Sequence, residues 1–347
     1  NASNAGAFAV NRSFLIWGDD AGSTSYSNAT TIGDTSYNRM ARTWRLQQSG
    51  TVPQATIAYP YSGSDNVYLI IGDTTNFSGA NTVVAMANMQ TIEGTSYRTT
   101  STPVSFGANS YFTFATITPD PLIVTSTADT DTIGTLRYAI NHANSNPDDD
   151  NITFNIADAG PHVISPLTGL PEITDDNVSI DGTSQSGAVC NMLTSGTPHI
   201  LKIQIDGAGT TDAEGLILGA NNVSVSGLSI TGFDSRAIRI TGTANDASVD
   251  CSYIGVEPDG TTKNANARSG SVGSAVAMQG YGGSLRRSVV SGNDDDTGDS
   301  GIFIGGSDTT ATGNIIGLSA DSATVLGNAN YGFHIRPEAS NVTIGGT

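Results

Sequence analysis

Three charged residues about two thirds of the way along the chain, Asp234, Arg236 and Arg239, are the nearest approach in the sequence to a site for chemistry on an acidic sugar. A carboxylate can serve as general acid or base, and arginines can hold an acidic substrate. A glycosidase also needs a second carboxyl facing the first across the sugar, and no partner at a matching position is evident. We interpret the cluster as a candidate catalytic or sugar-contacting site, with a solvated face of local ion pairs as the alternative.

A second chemical candidate is the acidic run Asp294, Asp295, Asp296 and Asp299. Carboxylate and carbonyl oxygens are the ligands that Ca²⁺ prefers, so this run and the shorter run at residues 148–150 are candidate calcium sites. Neither fits the spacing of an EF-hand loop, and a solvated polar loop is the alternative. Calcium is the only cofactor that the sequence suggests.

Other chemical motifs are weak. The four histidines lack the H-E-x-x-H spacing of a zinc site, and no G-x-S-x-G motif precedes a helix. Aromatic side chains could stack on glycans, or pack within a sheet instead. The candidates of this kind are Tyr59, Tyr61, Tyr68, Tyr97 and Tyr281.

Composition limits the possible partners. The 14 Lys and Arg residues face 32 Asp and Glu residues, a net charge of −18, and no basic run occurs. Such a chain is a poor binder of nucleic acid phosphates. No apolar run is long enough to span a membrane. The two cysteines, Cys190 and Cys251, can either pair in an oxidising compartment or remain as buried thiols, and their spacing does not decide between these.

Residues 1–118 have the pattern of short strands separated by polar turns. The run Thr43-Trp44-Arg45-Leu46-Gln47 alternates bulky and polar residues, as half-buried strands do. Several such runs predict an antiparallel β-sandwich of immunoglobulin-like architecture, although the cysteines of true immunoglobulin domains are absent. Pro119 and Pro121 mark a short linker after this domain.

Residues 119–347 show a different pattern, in which short β-branched runs are each closed by Gly or Asn. Tyr253-Ile254-Gly255 returns as Ile315-Ile316-Gly317, 62 positions later, and no helical segments intervene. Self-similarity at this scale is typical of stacked repeats, and strands this short without helices can coil into a parallel β-helix. We expect the coil to continue beyond residue 347.

An open end of such a coil would expose apolar side chains and needs a cap. The segment at about 134–145 is the clearest amphipathic helix in the chain, because Leu136, Ala139, Ile140 and Ala143 lie on one face. We predict that this helix covers the first coil.

The same region resembles a known family. Val124-Thr125-Ser126-Thr127-Ala128-Asp129, Gly134-Thr135-Leu136-Arg137-Tyr138-Ala139-Ile140 and Ile152-Thr153-Phe154-Asn155-Ile156 resemble the CSLREA-type module, and the later repeats fit the same family. The chain departs from the signature at Thr135, where Cys or Ser is usual, and at Tyr138, where Glu is usual. The resemblance implies a right-handed parallel β-helix in a bacterial secreted or cell-surface, adhesin-like protein.

These observations together predict an all-β, extracellular protein that has a structural or adhesive role and no catalytic activity. Its expected partners are other copies, neighbouring surface proteins or glycans. One alternative is a polysaccharide lyase or glycoside hydrolase of the parallel β-helix fold, because that fold hosts both. Another is a glycan-binding module without catalysis.

Overall fold

The computed structural model describes residues 14–33, 35–49, 54–61, 66–107, 110–117, 119–193, 196–211, 213–268, 274–293 and 300–346. The chain divides into two compact units, Asn1–Thr118 and Pro119–Thr347. Regular structure in both is almost entirely β, which confirms the predicted fold class.

The first unit contains two antiparallel sheets. The larger sheet has seven strands in the order β1-β4-β10-β3-β2, with β6 paired to β10 and β7 to β6, and the smaller one has the order β5-β9-β8. The strands are β1 (Phe14–Asp19), β2 (Tyr26–Ile32), β3 (Thr35–Met40), β4 (Trp44–Ser49), β5 (Ala58–Pro60), β6 (Val67–Gly72), β7 (Asn81–Ala85), β8 (Asn88–Ile92), β9 (Thr95–Thr99) and β10 (Tyr111–Ile117).

The larger apolar core of this unit lies on the inner face of the larger sheet, and a smaller cluster around Ile70 and Phe77 lies on the opposite face. In β4 the alternation of bulky and polar residues turns Trp44 and Leu46 inward, where they join Phe112 and Phe114 of β10 in one apolar cluster. Leu46 is fully buried. The predicted half-buried strand is therefore present, and its inner face faces the smaller sheet as in a β-sandwich.

The second unit is a parallel β-helix built from three parallel sheets. The first has eight strands, β11 (Ile123–Val124), β12 (Asn151–Phe154), β14 (Ser179–Asp181), β17 (Ser224–Ser226), β20 (Ser248–Asp250), β23 (Ser284–Arg286), β26 (Thr310–Thr312) and β29 (Thr343–Ile344). The second has six, β13 (His162–Ile164), β15 (Ile203–Asp206), β18 (Leu228–Thr231), β21 (Tyr253–Ile254), β24 (Val289–Val290) and β27 (Ile315–Ile316). The third has five, β16 (Leu216–Leu218), β19 (Ile238–Ile240), β22 (Ser274–Met278), β25 (Ser300–Ile304) and β28 (Tyr331–Ile335).

Aliphatic side chains stack in columns inside the coil. In the first sheet the register aligns Ile180 with Val225, Val225 with Val249, and Val249 with Leu285. All four side chains are buried in one continuous core. Because parallel neighbours lie about 4.8 Å apart, each of these residues contacts the equivalent residues of the coils before and after it.

Long and short coils alternate, and this alternation explains the repeat seen in the sequence. Successive partners in the first sheet are Ser224 and Ser248, 24 positions apart, then Ser248 and Ser284, 36 apart, then Ser284 and Thr310, 26 apart. The 62-residue period is therefore one long coil plus one short coil, because Tyr253 pairs with Val289 and Val289 pairs with Ile315.

The extra residues of the long coils form short hairpins. Antiparallel bridges close them at Val189 and Ile200, Val256 and Lys263, and Leu318 and Val325. The second and third hairpins stack, because Ala320 donates its backbone N–H to Gly260 O at 2.8 Å. Gly260 has a φ of +75° and a Cβ there would lie 2.9 Å from the Cβ of Ala320, so both the turn and the stacking favour glycine. We call these three hairpins the hairpin ridge.

The predicted capping helix is α1 (Leu136–Ser145). Thr135 is its N-cap residue, and its hydroxyl accepts a hydrogen bond from Tyr138 N. Leu136, Ala139 and Ile140 are buried in the same cluster as Val124 and Ile152 of the first coils. The helix therefore closes the beginning of the apolar core, as expected.

Buried asparagines form a column at one corner of the coil. Asn266 donates to Ile230 O (2.8 Å) and to the side-chain oxygen of Asn293 (3.0 Å). Asn293 donates to Ile254 O (2.9 Å) and to the side-chain oxygen of Asn328 (3.1 Å). Each amide thus adds a second hydrogen bond to a carbonyl that also accepts one from a backbone N–H, Gly255 N in the case of Ile230 O and Ser291 N in the case of Ile254 O.

Replacing Asn293 with Ala should lower the free energy of unfolding of the β-helix by about 1–3 kcal/mol, because polar groups on both sides of the Asn293 amide each lose a hydrogen bond. Asn245→Ala is the matched control, since Asn245 lies in an exposed asparagine pair with Asn221 and should cost less. Urea denaturation followed by circular dichroism measures both. Equal losses for the two variants would contradict the role given to the buried column.

Candidate functional site

The charged residues singled out in the sequence form two separate ion-paired groups on the β-helix. Arg236 Nη1 lies 2.9 Å from Glu214 Oε1, and Arg239 Nε lies 2.7 Å from Glu214 Oε2. Asp234 instead pairs with Arg268 at 2.8 Å. The structure therefore brings Arg236 and Arg239 together around Glu214, and gives Asp234 a different partner.

This geometry limits what the groups can do chemically. Both oxygens of Glu214 accept hydrogen bonds from guanidinium groups, and the Asp234 carboxylate accepts one from Arg268. A glycosidase needs one carboxylic acid that delivers a proton and a second carboxylate placed across the sugar. Carboxylates held by arginines are better suited to fixing the local surface than to transferring a proton.

Sequence reasoning missed Glu214, which lies one coil before its two arginines. The register of the third sheet aligns Ile217 with Arg239, so Glu214 and Arg236, each three residues earlier, lie at equivalent positions of successive coils. Only the coil alignment brings these residues together, since 22 and 25 positions separate Glu214 from Arg236 and Arg239.

Cys190 and Cys251 are joined by a disulfide bond, with a Cα–Cα distance of 5.7 Å. Cys190 belongs to the first hairpin of the ridge, and Cys251 follows β20 with a φ of +52°. The bond therefore fastens the hairpin to a later coil.

His199 supports the same contact between hairpin and coil. Its Nδ1 accepts a hydrogen bond from Asn191 N (3.0 Å), and its Nε2 lies 2.6 Å from Arg287 O, to which it donates. The imidazole stacks on Tyr253 with a centroid distance of 5.6 Å, and Tyr253 OH donates to His199 O at 3.0 Å. Burial lowers the pKa of His199, consistent with a neutral imidazole.

The two sulfurs and the imidazole lie within 4.8 Å of one another, a donor set that zinc could use in principle. In this structure the sulfurs are bonded to each other, and each imidazole nitrogen has a hydrogen-bond partner. The cluster thus acts as a cross-link. Beside it, a cavity of about 270 Å³ is lined by Met192, Leu193, Asp250, Arg286, Arg287, Thr312 and Gly313.

Removing the cross-link with Cys190→Ser and Cys251→Ser together should lower the free energy of unfolding of the β-helix by about 4 kcal/mol, given a loop of 61 residues. Unfolding is followed by circular dichroism and not by tryptophan fluorescence, because both tryptophans lie in the first unit and do not report on the β-helix. Wild-type protein treated with a reductant is the control and should match the double variant. No difference between oxidised and reduced wild type would contradict a stabilising cross-link.

The calcium candidates Asp294, Asp295, Asp296 and Asp299 lie outside the described residues. At the other acidic run, Asp150 is 8% exposed and its Oδ2 has no hydrogen-bond partner in the structure. Asp175 Oδ2 is also buried without one. Burial first, and then the charge of Asp175, raises the pKa of Asp150.

Because the folded-state pKa of Asp150 is raised, the folded protein binds this proton more tightly than the unfolded chain does. The stability it contributes is therefore complete below the unfolded pKa of about 3.9 and is lost as the pH rises through the folded value. We expect Asp150→Asn to raise the free energy of unfolding at neutral pH, whereas the exposed control Asp148→Asn changes it less. Denaturation between pH 4 and pH 7 measures this. A loss of stability in Asp150→Asn at pH 7 would show that the carboxylate is needed in its charged form.

The tyrosines considered for glycan stacking have different surroundings. Tyr59 stacks on Phe114 with a centroid distance of 4.3 Å, and Tyr68 packs edge-on against Tyr37 at 5.5 Å. Tyr61 lies beside Tyr59, Tyr97 belongs to β9, and Tyr281 is 55% exposed on the second unit. Of these five, Tyr59 lines a cavity, in the first unit.

Comparisons with known proteins give little further information. Residues 1–109 match the model of a family described as a domain of unknown function, DUF8202. No curated protein matches the chain. Among solved structures, the chain is similar to the catalytic domain of a GH87 alpha-1,3-glucanase in complex with tetrasaccharides, at 10% identity over 98% of this chain and 96% of that one. The TM-score is 0.19, too low for this likeness to support any argument about activity.

Among the described residues, no helix has the length and apolarity needed to cross a membrane.

Proposed function

We propose that this is a secreted or cell-surface protein with a structural and adhesive role, and that its parallel β-helix serves as a stalk without catalytic activity. The finer assignment to bacterial proteins of the CSLREA type is part of the same proposal. It rests on the sequence resemblance alone, which includes Leu136, Ala139 and Ile140 of the helix at the beginning of the coil.

The observation that carries the proposal is the continuity of the coil. Its first sheet pairs strand to strand from β11 to β29, and aliphatic side chains fill the interior. Every coil that is held by hydrogen bonds on both sides resists bending and local opening. Glu214 and Asp234, the carboxylates of the candidate catalytic cluster, both form ion pairs with arginines, which favours a structural role for them.

The disulfide supports an extracellular location. Structural disulfides persist in oxidising compartments and are rare in the cytosol. In the proposed role, other copies or neighbouring surface proteins are the partners, and glycans are a third class of ligand.

The absence of catalysis can be tested with the full chain and a panel of neutral and acidic polysaccharides. Reducing-end and unsaturated-product assays should give the signal of the blank, and Glu214→Gln and Asp234→Asn should be indistinguishable from wild type. Product release by the wild type above the blank would contradict the stalk without catalysis, and its loss in either variant would assign the activity to that carboxylate. Immunogold labelling of intact producing cells tests the location, and label confined to the cytoplasm would contradict it.

A further inference from the structure

An open cleft of about 610 Å³ lies between the two sheets of the first unit. Trp17 of β1 and Trp44 of β4 line it from the larger sheet, and Tyr59 of β5 lines it from the smaller sheet. We call it the aromatic cleft. Its volume is within the range of sites that bind small molecules, which are typically apolar with a few polar groups.

Trp17 lies on the core face of the larger sheet and is nevertheless exposed. Trp17 pairs with Leu46 in the register of β1 and β4, so the two side chains point to the same face. Leu46 is fully buried, whereas Trp17 is 56% exposed. A large indole on an inner face is normally covered, and an uncovered one is a feature of binding sites.

The other aromatic rings of the aromatic cleft are held rigidly. Trp44 stacks nearly parallel on Phe112, with centroids 5.4 Å apart and an angle of 9° between the planes. Tyr59 stacks on Phe114 at 4.3 Å. Trp44 and Tyr59 are only half-buried, so flat, preorganised rings line the space between the sheets.

Polar groups accompany the rings and distinguish the aromatic cleft from a purely apolar pocket. Thr24, Thr56, Thr99 and Gln90 add hydroxyl and amide groups to its lining. A pyranose has an apolar C–H face and a rim of hydroxyl groups, and it therefore matches rings surrounded by neutral donors and acceptors. An alkyl chain would offer these polar groups no hydrogen bonds.

The charges of the first unit favour a neutral ligand. Arg42, the cation of the described lining, already donates to Gly22 O (2.8 Å) and lies 3.5 Å from Asp19 Oδ2. Residues 1–118 contain five arginines, no lysine and six acids, so the net charge of −18 resides almost wholly in the rest of the chain. A carboxylated or sulfated sugar would find no unengaged arginine or lysine in the described lining.

We propose that the aromatic cleft binds a neutral oligosaccharide, whose sugar rings stack on Trp17 and Trp44. This site goes beyond the stalk proposed above and does not depend on it, because it lies within the first unit alone.

The chain contains only two tryptophans, and both line the aromatic cleft, so intrinsic tryptophan fluorescence reports on this site. The full chain is titrated with cello-, laminari- and malto-oligosaccharides, and with oligogalacturonate as the acidic comparison. We expect a saturable change in emission with at least one neutral series and a weaker effect of oligogalacturonate. Isothermal titration calorimetry gives the affinities of variants that lack a tryptophan.

Trp17→Ala should weaken binding about tenfold, and Trp17→Phe should restore most of it, because the phenyl ring keeps a stacking face. Met89→Ala is the matched control, since Met89 is 60% exposed on β8 but does not line the aromatic cleft. Three results of the titrations would overturn the proposal: no saturable change at millimolar concentrations, binding that Trp17→Ala leaves intact, or tighter binding of dodecanoate than of any sugar. Concentration-dependent dimers that Trp17→Ala abolishes would also overturn it, because they would show that a second copy of the chain occupies the aromatic cleft.

Discussion

The β-helix depends on one constraint, which is that no single coil can bury its own apolar side chains. Each coil contributes only a few interior residues, such as Ile180, Ile205 and Leu218, and these are shielded by the coils before and after them. Burying an aliphatic side chain contributes about 1.5–3 kcal/mol relative to leaving it exposed, so a shift of register along one coil would be costly. Interior positions must therefore recur at equivalent places in every coil, and insertions are restricted to the corners.

The hairpin ridge shows how the chain uses that freedom. Insertions occur in the long coils, so the hairpins lie two coils apart and can still pack on one another. They cover the outer face of the second sheet, where Tyr253, Val256 and Val289 form an apolar cluster separate from the coil core. The disulfide and His199 attach the first hairpin to the coil. His199 is the only buried histidine among the described residues, and all of its contacts are structural.

The sequence allowed the coil, the capping helix and the sandwich to be predicted, because each follows from local periodicity. The stripe of Leu136 and Ile140 and the alternation around Trp44 need no knowledge of distant residues. Side-chain contacts between coils were harder to predict from the sequence. Coils of 24 and 36 residues alternate, so residues that pair across coils have no constant separation in the sequence. The pairing of Glu214 with Arg239 was missed for this reason, and the pairing of Cys190 with Cys251 could not be decided. The aromatic cleft was also missed, apart from Tyr59, since it is formed by residues of both sheets that are far apart in the sequence.

Engineered cross-links between coils test the central claim most directly. In the Cys190→Ser, Cys251→Ser background, Ser248→Cys with Ser284→Cys places thiols on directly paired residues of β20 and β23, about 4.8 Å apart at Cα and within disulfide range. Ser248→Cys with Thr310→Cys places them two coils apart, beyond that range. Mild oxidation followed by peptide mass spectrometry should give the intramolecular disulfide in the first variant and not in the second. Efficient bond formation in the second variant, or none in the first, would contradict the coil and its register.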